Sequence, residues 1–165
     1  MFTFRCTRRL INKLQAPAIA DPPVPTTRLG DWYGNVLFPG HHRLMIFVSE
    51  RSLLPVVMPL RERSQLLGSF RSRLAELLLH LSVSENAVSS ELAQMGHASI
   101  AKTDNASLLG TMNDVIRNAR AYVQMSDGLD LLELELWLAD TPCGPTVYRY
   151  PNRLAPQLLS ELDIR

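Results

Sequence analysis

Three apolar stretches follow one another between Asp31 and Met58 with only turn-forming residues between them, and this run restricts the fold more than any other part of the chain. Trp32 to Phe38, Arg43 to Val48 and Leu53 to Met58 are each of strand length, while Pro39-Gly40 and Ser49-Glu50-Arg51-Ser52 are residue types that reverse a chain. The spacing predicts an antiparallel meander. In its middle strand Leu44, Ile46 and Val48 point one way and Met45 and Phe47 the other, so both faces need cover and the strand belongs inside the sheet. Pro55 has no amide proton to give a ladder, which moves the third strand to an edge or a bulge.

The cover has to come from helices. Leu67, Phe70, Leu74, Leu77, Leu78 and Leu81 recur at intervals of three and four, with Arg63, Arg71, Arg73 and Glu76 between them, and predict a long helix between Leu60 and Leu81. Ser82-Val83-Ser84-Glu85 has capping-box spacing and opens a second helix that carries Val88, Leu92 and Met95 and stops at Gly96, so the two form a hairpin. Upstream, Phe2, Phe4 and Cys6 alternate with polar neighbours as in a strand, Thr7 caps a helix from Arg8 to Leu14, and the proline-rich segment Ala16 to Thr27 is an extended connector. Downstream, Ala98 to Thr103 reads as a short strand. Asn105 or Asp104 then caps a long helix bearing Leu108, Met112, Val115, Ile116 and Ala119. Leu132, Leu134, Leu136 and Leu138 alternate with Glu133, Glu135 and Trp137 and predict a half-buried strand, followed by a tail strand at Val147 to Tyr150 and a last helix at Leu154 to Leu162. The expectation is a single α+β domain over residues 1–165: a mostly antiparallel sheet with a central meander, packed by a helical hairpin and one further long helix.

Composition narrows the function classes. The 165 residues suffice for one core without metals or disulfides. Seventeen Lys and Arg against 16 Asp and Glu leave a net charge of +1, too little to draw a polyanion or a membrane onto the whole molecule, so any such binding needs a local patch. No segment is free of charge over the roughly 18 residues of a membrane span, and charge appears too early at the N-terminus for a secretory signal. Cys6 and Cys143 are expected as free thiols of a reducing, cytoplasmic protein, and no cofactor is expected.

The residues that could carry chemistry are dispersed. His41 and His42 are adjacent and have no carboxylate or cysteine at ligand spacing, which makes them turn histidines rather than a metal site; His80 and His97 are isolated. Cys143-Gly144-Pro145-Thr146 lacks the second cysteine of a redox motif. Ser107 enters a helix, but Asn105 and Leu109 stand where a nucleophile elbow has glycines, so it is a first-turn hydroxyl. Arg5, Arg8, Arg9 and Lys13 form one basic cluster, and with Trp32 and Tyr33 as exposed aromatics it could hold a phosphate backbone and stack a base.

Two stretches carry a resemblance: Thr27 to Asn35, which contains the pattern T-x-L-G-D-W-Y, and Thr103 to Asp114. With Arg5-Cys6-Thr7, Arg51 to Pro55 and Ala139 to Pro145, they resemble a family of small bacterial proteins of unknown function. Members of that family read T-x-N-R-S-x-L-G-x-M-N-D in the second stretch. Here Ala106 stands at the arginine, so the resemblance implies that part of any polar site there is missing. It supplies no activity. The binding candidates are Asp31, Trp32, Tyr33, Asn35, Asn105, Ser107, Asn113 and Asp114. The first expectation is a non-catalytic domain that binds another protein in a regulatory, antitoxin-like role. The alternatives are an enzyme or phosphate-binding protein using the helix start at Asn105 to Asp114, and nucleic-acid binding through the basic N-terminal helix.

Overall fold

Alternation at Phe2, Phe4 and Cys6 produces β1 (Phe2–Cys6), and the Thr7 hydroxyl accepts the Leu10 amide at 3.4 Å to start α1 (Arg8–Leu14). The computed structural model describes residues 1–144 and 149–160. After the connector come β2 (Trp32–Leu37), β3 (Leu44–Ser49) and β4 (Pro55–Pro59), then a 3-10 turn (Leu60–Gln65) running into α2 (Leu66–His80), and α3 (Glu85–Gln94). The chain ends with β5 (Ala98–Lys102), α4 (Ala106–Met125), α5 (Leu131–Ala139) and α6 (Pro151–Ser160).

The fold class is α+β, but the sheet is mixed rather than mostly antiparallel. Its order is β4-β3-β2-β1-β5; β2 with β3 and β3 with β4 pair antiparallel, whereas β1 pairs parallel with both β2 and β5. The stretch from Thr7 to Asp31 holds a helix and a connector, long enough to carry the chain back to the start of a parallel neighbour. Strand direction leaves no trace in the alternation of side chains, so the pattern could not reveal it. Both outer strands are covered. Ile19 of the connector bonds the Ile100 carbonyl of β5 at 2.8 Å, and the Glu135 carboxylate accepts the Val57 amide of β4 at 3.3 Å.

Helices pack on both faces. Phe2, Phe4, Trp32, Phe47 and Met58 meet α2, α3 and α6 on one face, with Phe70 of α2 ring-to-ring against Phe4 and Trp32 at 5.0 and 4.9 Å. Tyr33, Ile46, Val48 and Val57 meet α4 and α5 on the other. α1 approaches the sheet directly over Gly34, where a Cβ would lie 2.5 Å from the Phe47 ring and 2.9 Å from Leu10.

Three further expectations are corrected. The alternating leucines from Leu132 to Leu138 belong to helix α5 and not to a strand. Leucine and glutamate are strong helix formers, the Asp130 side chain caps the helix by accepting the Glu133 amide at 3.0 Å, and α5 is apolar on two sides because it packs at the β4 edge against both clusters. Ser84, not Ser82, caps α3, accepting the Ala87 amide at 3.2 Å; Ser82 has φ +62° and belongs to the turn before it. The last helix begins at Pro151 instead of Leu154. Of the tail strand expected at Val147 to Tyr150, residues 147 and 148 lie outside the described residues, as do residues 161 and 162 at the expected end of the last helix. Beside the former, Cys143 and Arg149 form an isolated antiparallel bridge.

Candidate functional site

The stretch Thr27 to Asp31 is a loop built from buried hydrogen bonds. Thr27 Oγ1 donates to the Gly30 carbonyl at 2.9 Å, and Glu91 of α3, itself buried, accepts the amides of Arg28 and Leu29 at 2.9 and 3.0 Å. Gly30 has φ +77°, and a Cβ there would sit 2.7 Å from the Glu50 carboxylate, so the turn needs glycine. The loop delivers Asp31 to the sheet interior. One of its oxygens accepts the Thr3 amide at 2.8 Å and the other Nε of Arg5 at 2.9 Å, while Arg5 also reaches Asp104 at 2.9 Å and the Tyr33 hydroxyl donates to the same carboxylate. Burial alone would lower the Arg5 pKa, yet Asp31 and Asp104 hold it above its ordinary value; burial and then Asp104 push the Tyr33 phenol up, so it stays protonated.

Trp32 and Tyr33 are therefore interior residues, 0% and 1% exposed, and not the aromatic surface expected for a partner or a base. Arg5 likewise leaves the basic cluster, because its guanidinium is held by two carboxylates. At the start of α4, the Asn105 side chain is occupied in capping Leu108 at 3.0 Å, Ala106 and Ser107 are exposed, and Asp114 pairs with Arg117 at 3.0 Å. The Asp104 carboxylate just before that helix is taken up by Arg5 and the Tyr33 hydroxyl.

The positive charge gathers elsewhere. A cleft of about 750 Å³ lies between the end of α1, the β2–β3 turn and the 3-10 turn. Lys13, His41, His42, Arg43, Arg61 and Arg63 line it together with Asn12 and Gln15, and no carboxylate is among its lining residues. A second cleft, of about 640 Å³, runs between α1, β2 and α4 and is lined by Arg9, Asn35, Asn113, Arg117, Arg120 and Gln124. Among the described residues, Lys13, Arg43, Arg61, Arg63, Arg9 and Arg120 make no ion pair; the salt bridges lie at Arg5, Arg73 and Arg117. Asn35 Oδ1 accepts the Thr7 hydroxyl and the Val36 amide, both at 2.8 Å, which fixes that side chain and leaves its NH2 as a donor.

Residues 3–154 match the family model described as a domain of unknown function, DUF6933. The chain belongs to that family. No curated protein and no solved structure matches it. The span matched to DUF6933 contains every residue that lines the two clefts.

Of the candidates named from sequence, this DUF6933 member brings Asn35, Asn113 and Arg9 together in the second cleft and places Lys13 in the first; Arg8 is exposed and lines neither. Arg43, Arg61, Arg63, Arg117 and Arg120 were not singled out. Arg63 read as the solvated side of a long helix, and its real setting in a 3-10 turn that projects Arg61 and Arg63 towards α1 depends on a contact between distant segments. The thiols offer no nucleophile. Both are free, burial raises the Cys6 pKa to about 12, and burial with Asp114 raises that of Cys143. Among the described residues, no group of three or more His, Cys, Asp or Glu could hold a metal ion, and no helix is long and apolar enough to cross a membrane. Neither cleft is lined by a Ser, Thr or Cys among the described residues.

Proposed function

We propose that the protein binds a phosphate-bearing anion in the cleft lined by Lys13, Arg43, Arg61 and Arg63. The observation that carries this reading is a concentration of unpaired cations, with two imidazole rings 4.1 Å apart, in a cavity with no lining carboxylate on a chain whose net charge is only +1. Like charges held together repel and lower stability, so packing does not account for them, whereas an anion would satisfy them at once. Arginine provides planar, multiply donating contacts for phosphate oxygens, and Asn12 and Gln15 add neutral donors at the rim.

The reading moves the phosphate site away from the Asn105 to Asp114 helix start. It keeps one residue of the basic N-terminal helix, Lys13. A partner-binding role anchored on Trp32 and Tyr33 has no exposed aromatic to use there. The test is thermal denaturation with inorganic pyrophosphate. The transition should rise with concentration, by an amount equivalent to about 2.7 kcal/mol once the ligand reaches a hundred times its dissociation constant. No rise at millimolar pyrophosphate, or an equal rise in the double variant Arg61→Glu, Arg63→Glu, would overturn the proposal.

A further inference from the structure

Phe38, at the end of β2, lies between the two clefts. The Arg43 guanidinium sits 5.3 Å from the centre of its ring and that of Arg9 5.8 Å from it; Arg43 lines the first cleft and Arg9 the second. The two cavities are thus neighbours across one aromatic ring and share a run of cations from Arg61 and Arg63, past Arg43 and Arg9, to Arg120. We infer that this run is a single track that holds the backbone of a single-stranded nucleic acid, with Phe38 and its flanking guanidiniums as the place where a base stacks. The inference rests on the anion-binding reading above and extends it to a particular class of ligand.

Three features favour that class. A pocket for a small organic ligand is mostly apolar with a few polar groups, whereas the second cleft is lined chiefly by arginines and side-chain amides, the first carries four Arg and Lys side chains and two histidines beside its leucines, and both lie open on the surface. Charge spread over two adjoining clefts matches a ligand whose charges repeat along a chain, and aromatic and arginine faces interleaved with that charge are how sequence-tolerant single-strand binders hold bases. A lipid surface fits poorly. Among the described residues, the exposed large apolar side chains, Met1, Ile19, Val24, Leu79, Met125 and Trp137, line neither cleft, and the leucines that line the first are buried or half-buried, so no fully exposed apolar side chain stands beside the charge to enter acyl chains. The amides of Asn113, Gln124 and Asn35 in the second cleft, and of Asn12 and Gln15 in the first, can meet phosphate oxygens or base edges on either side of Phe38.

The experiment is fluorescence anisotropy of the full chain with labelled oligouridylate and oligothymidylate of increasing length, competed with inorganic pyrophosphate, a duplex of the same sequence and polyglutamate. Affinity should climb with length until both clefts are spanned and then level off. Its logarithm should fall with the logarithm of salt at a slope of about −3, as expected when four or five single-strand phosphates are neutralised. Phe38→Ala should weaken the long oligonucleotide about tenfold, within the range for losing one stacking platform. Arg120→Gln should weaken the long oligonucleotide and leave pyrophosphate untouched, because Arg120 lines only the second cleft. If pyrophosphate binds while affinity ignores length and Arg120→Gln changes nothing, the track is refuted and the single-cleft reading stands. Equal affinity for the duplex, or for polyglutamate, refutes the single-stranded nucleic acid as ligand. If neither pyrophosphate nor any oligonucleotide binds, both proposals fall.

Discussion

Arg5 and Arg43 are the same residue type in one small domain, and they live in opposite surroundings. Arg5 lies within β1 with its side chain largely covered, and Asp31 and Asp104 each hold it at 2.9 Å. Arg73 repeats the pattern against Glu135, which is also buried. Arg43, Arg61 and Arg63 are exposed, line a cleft without carboxylates and make no ion pair among the described residues. The first group is part of how the protein folds, because removing any partner strands a charge or a donor in the interior. The second holds no buried carboxylate in place. A division of arginines into those the fold consumes and those it leaves over is therefore a guide to where a ligand could bind.

Breaking the first group should show the largest effects. Asp31→Ala removes the acceptor of both the Thr3 amide and Arg5, and should cost about 3 kcal/mol in urea unfolding, the lower end for breaking a buried pair. Glu91→Ala leaves the Arg28 and Leu29 amides without their acceptor and should cost about 2 kcal/mol by the same measurement.

A pH series sharpens the contrast. Burial raises the Glu135 pKa from its ordinary 4.5 to about 7, with Arg73 opposing the rise. Between those values the native state keeps the proton that the unfolded chain has lost. The contribution of Glu135 to stability therefore declines as pH climbs from about 4.5 to 7 and is lowest above that window. Urea midpoints taken across this range should lose that slope in Glu135→Gln. At the other extreme, Arg61→Gln with Arg63→Gln should raise the urea midpoint slightly, since neither side chain has a carboxylate partner and the crowded cations repel, and should still abolish pyrophosphate binding. A drop in midpoint comparable to that of Asp31→Ala would erase the distinction between the two groups.

Local signals in the sequence matched the structure where local physics decides the outcome. Thr7 and Asn105 cap the helices they were expected to cap, Pro55 lies on an edge strand, and β3 is buried along its whole length. The signal failed where two periods coincide. Leu134 and Leu138 are two strand steps apart on one face and equally one helical turn apart, and the packing of α5 at the β4 edge against both clusters chose the helix. Trp32 and Tyr33 looked like surface aromatics because they adjoin polar residues. Their faces are covered by α2 on one side of the sheet and by the second apolar cluster on the other, and no pattern within β2 announces two layers of helices. The site was half legible. Arg9, Lys13, Asn35 and Asn113 were named, but as parts of two separate candidates, and the residues that join them came from the 3-10 turn, the β2–β3 turn and the middle of α4.

By itself the sequence determined the apolar stripes of β3, α2 and α4, where several helices begin and that positive and negative charges nearly balance. Those properties follow from spacing over a few residues and from counting. Only the tertiary structure decided which charges meet. An ion pair needs two groups within a few ångströms, and Asp31 and Asp104 reach Arg5 from distant parts of the chain, through a loop that Glu91 holds and the start of a helix that packs on the opposite face. Among the described residues, Arg43, Arg61 and Arg63 were left without such partners by the same folding, and that remainder is the basis of the binding face we propose.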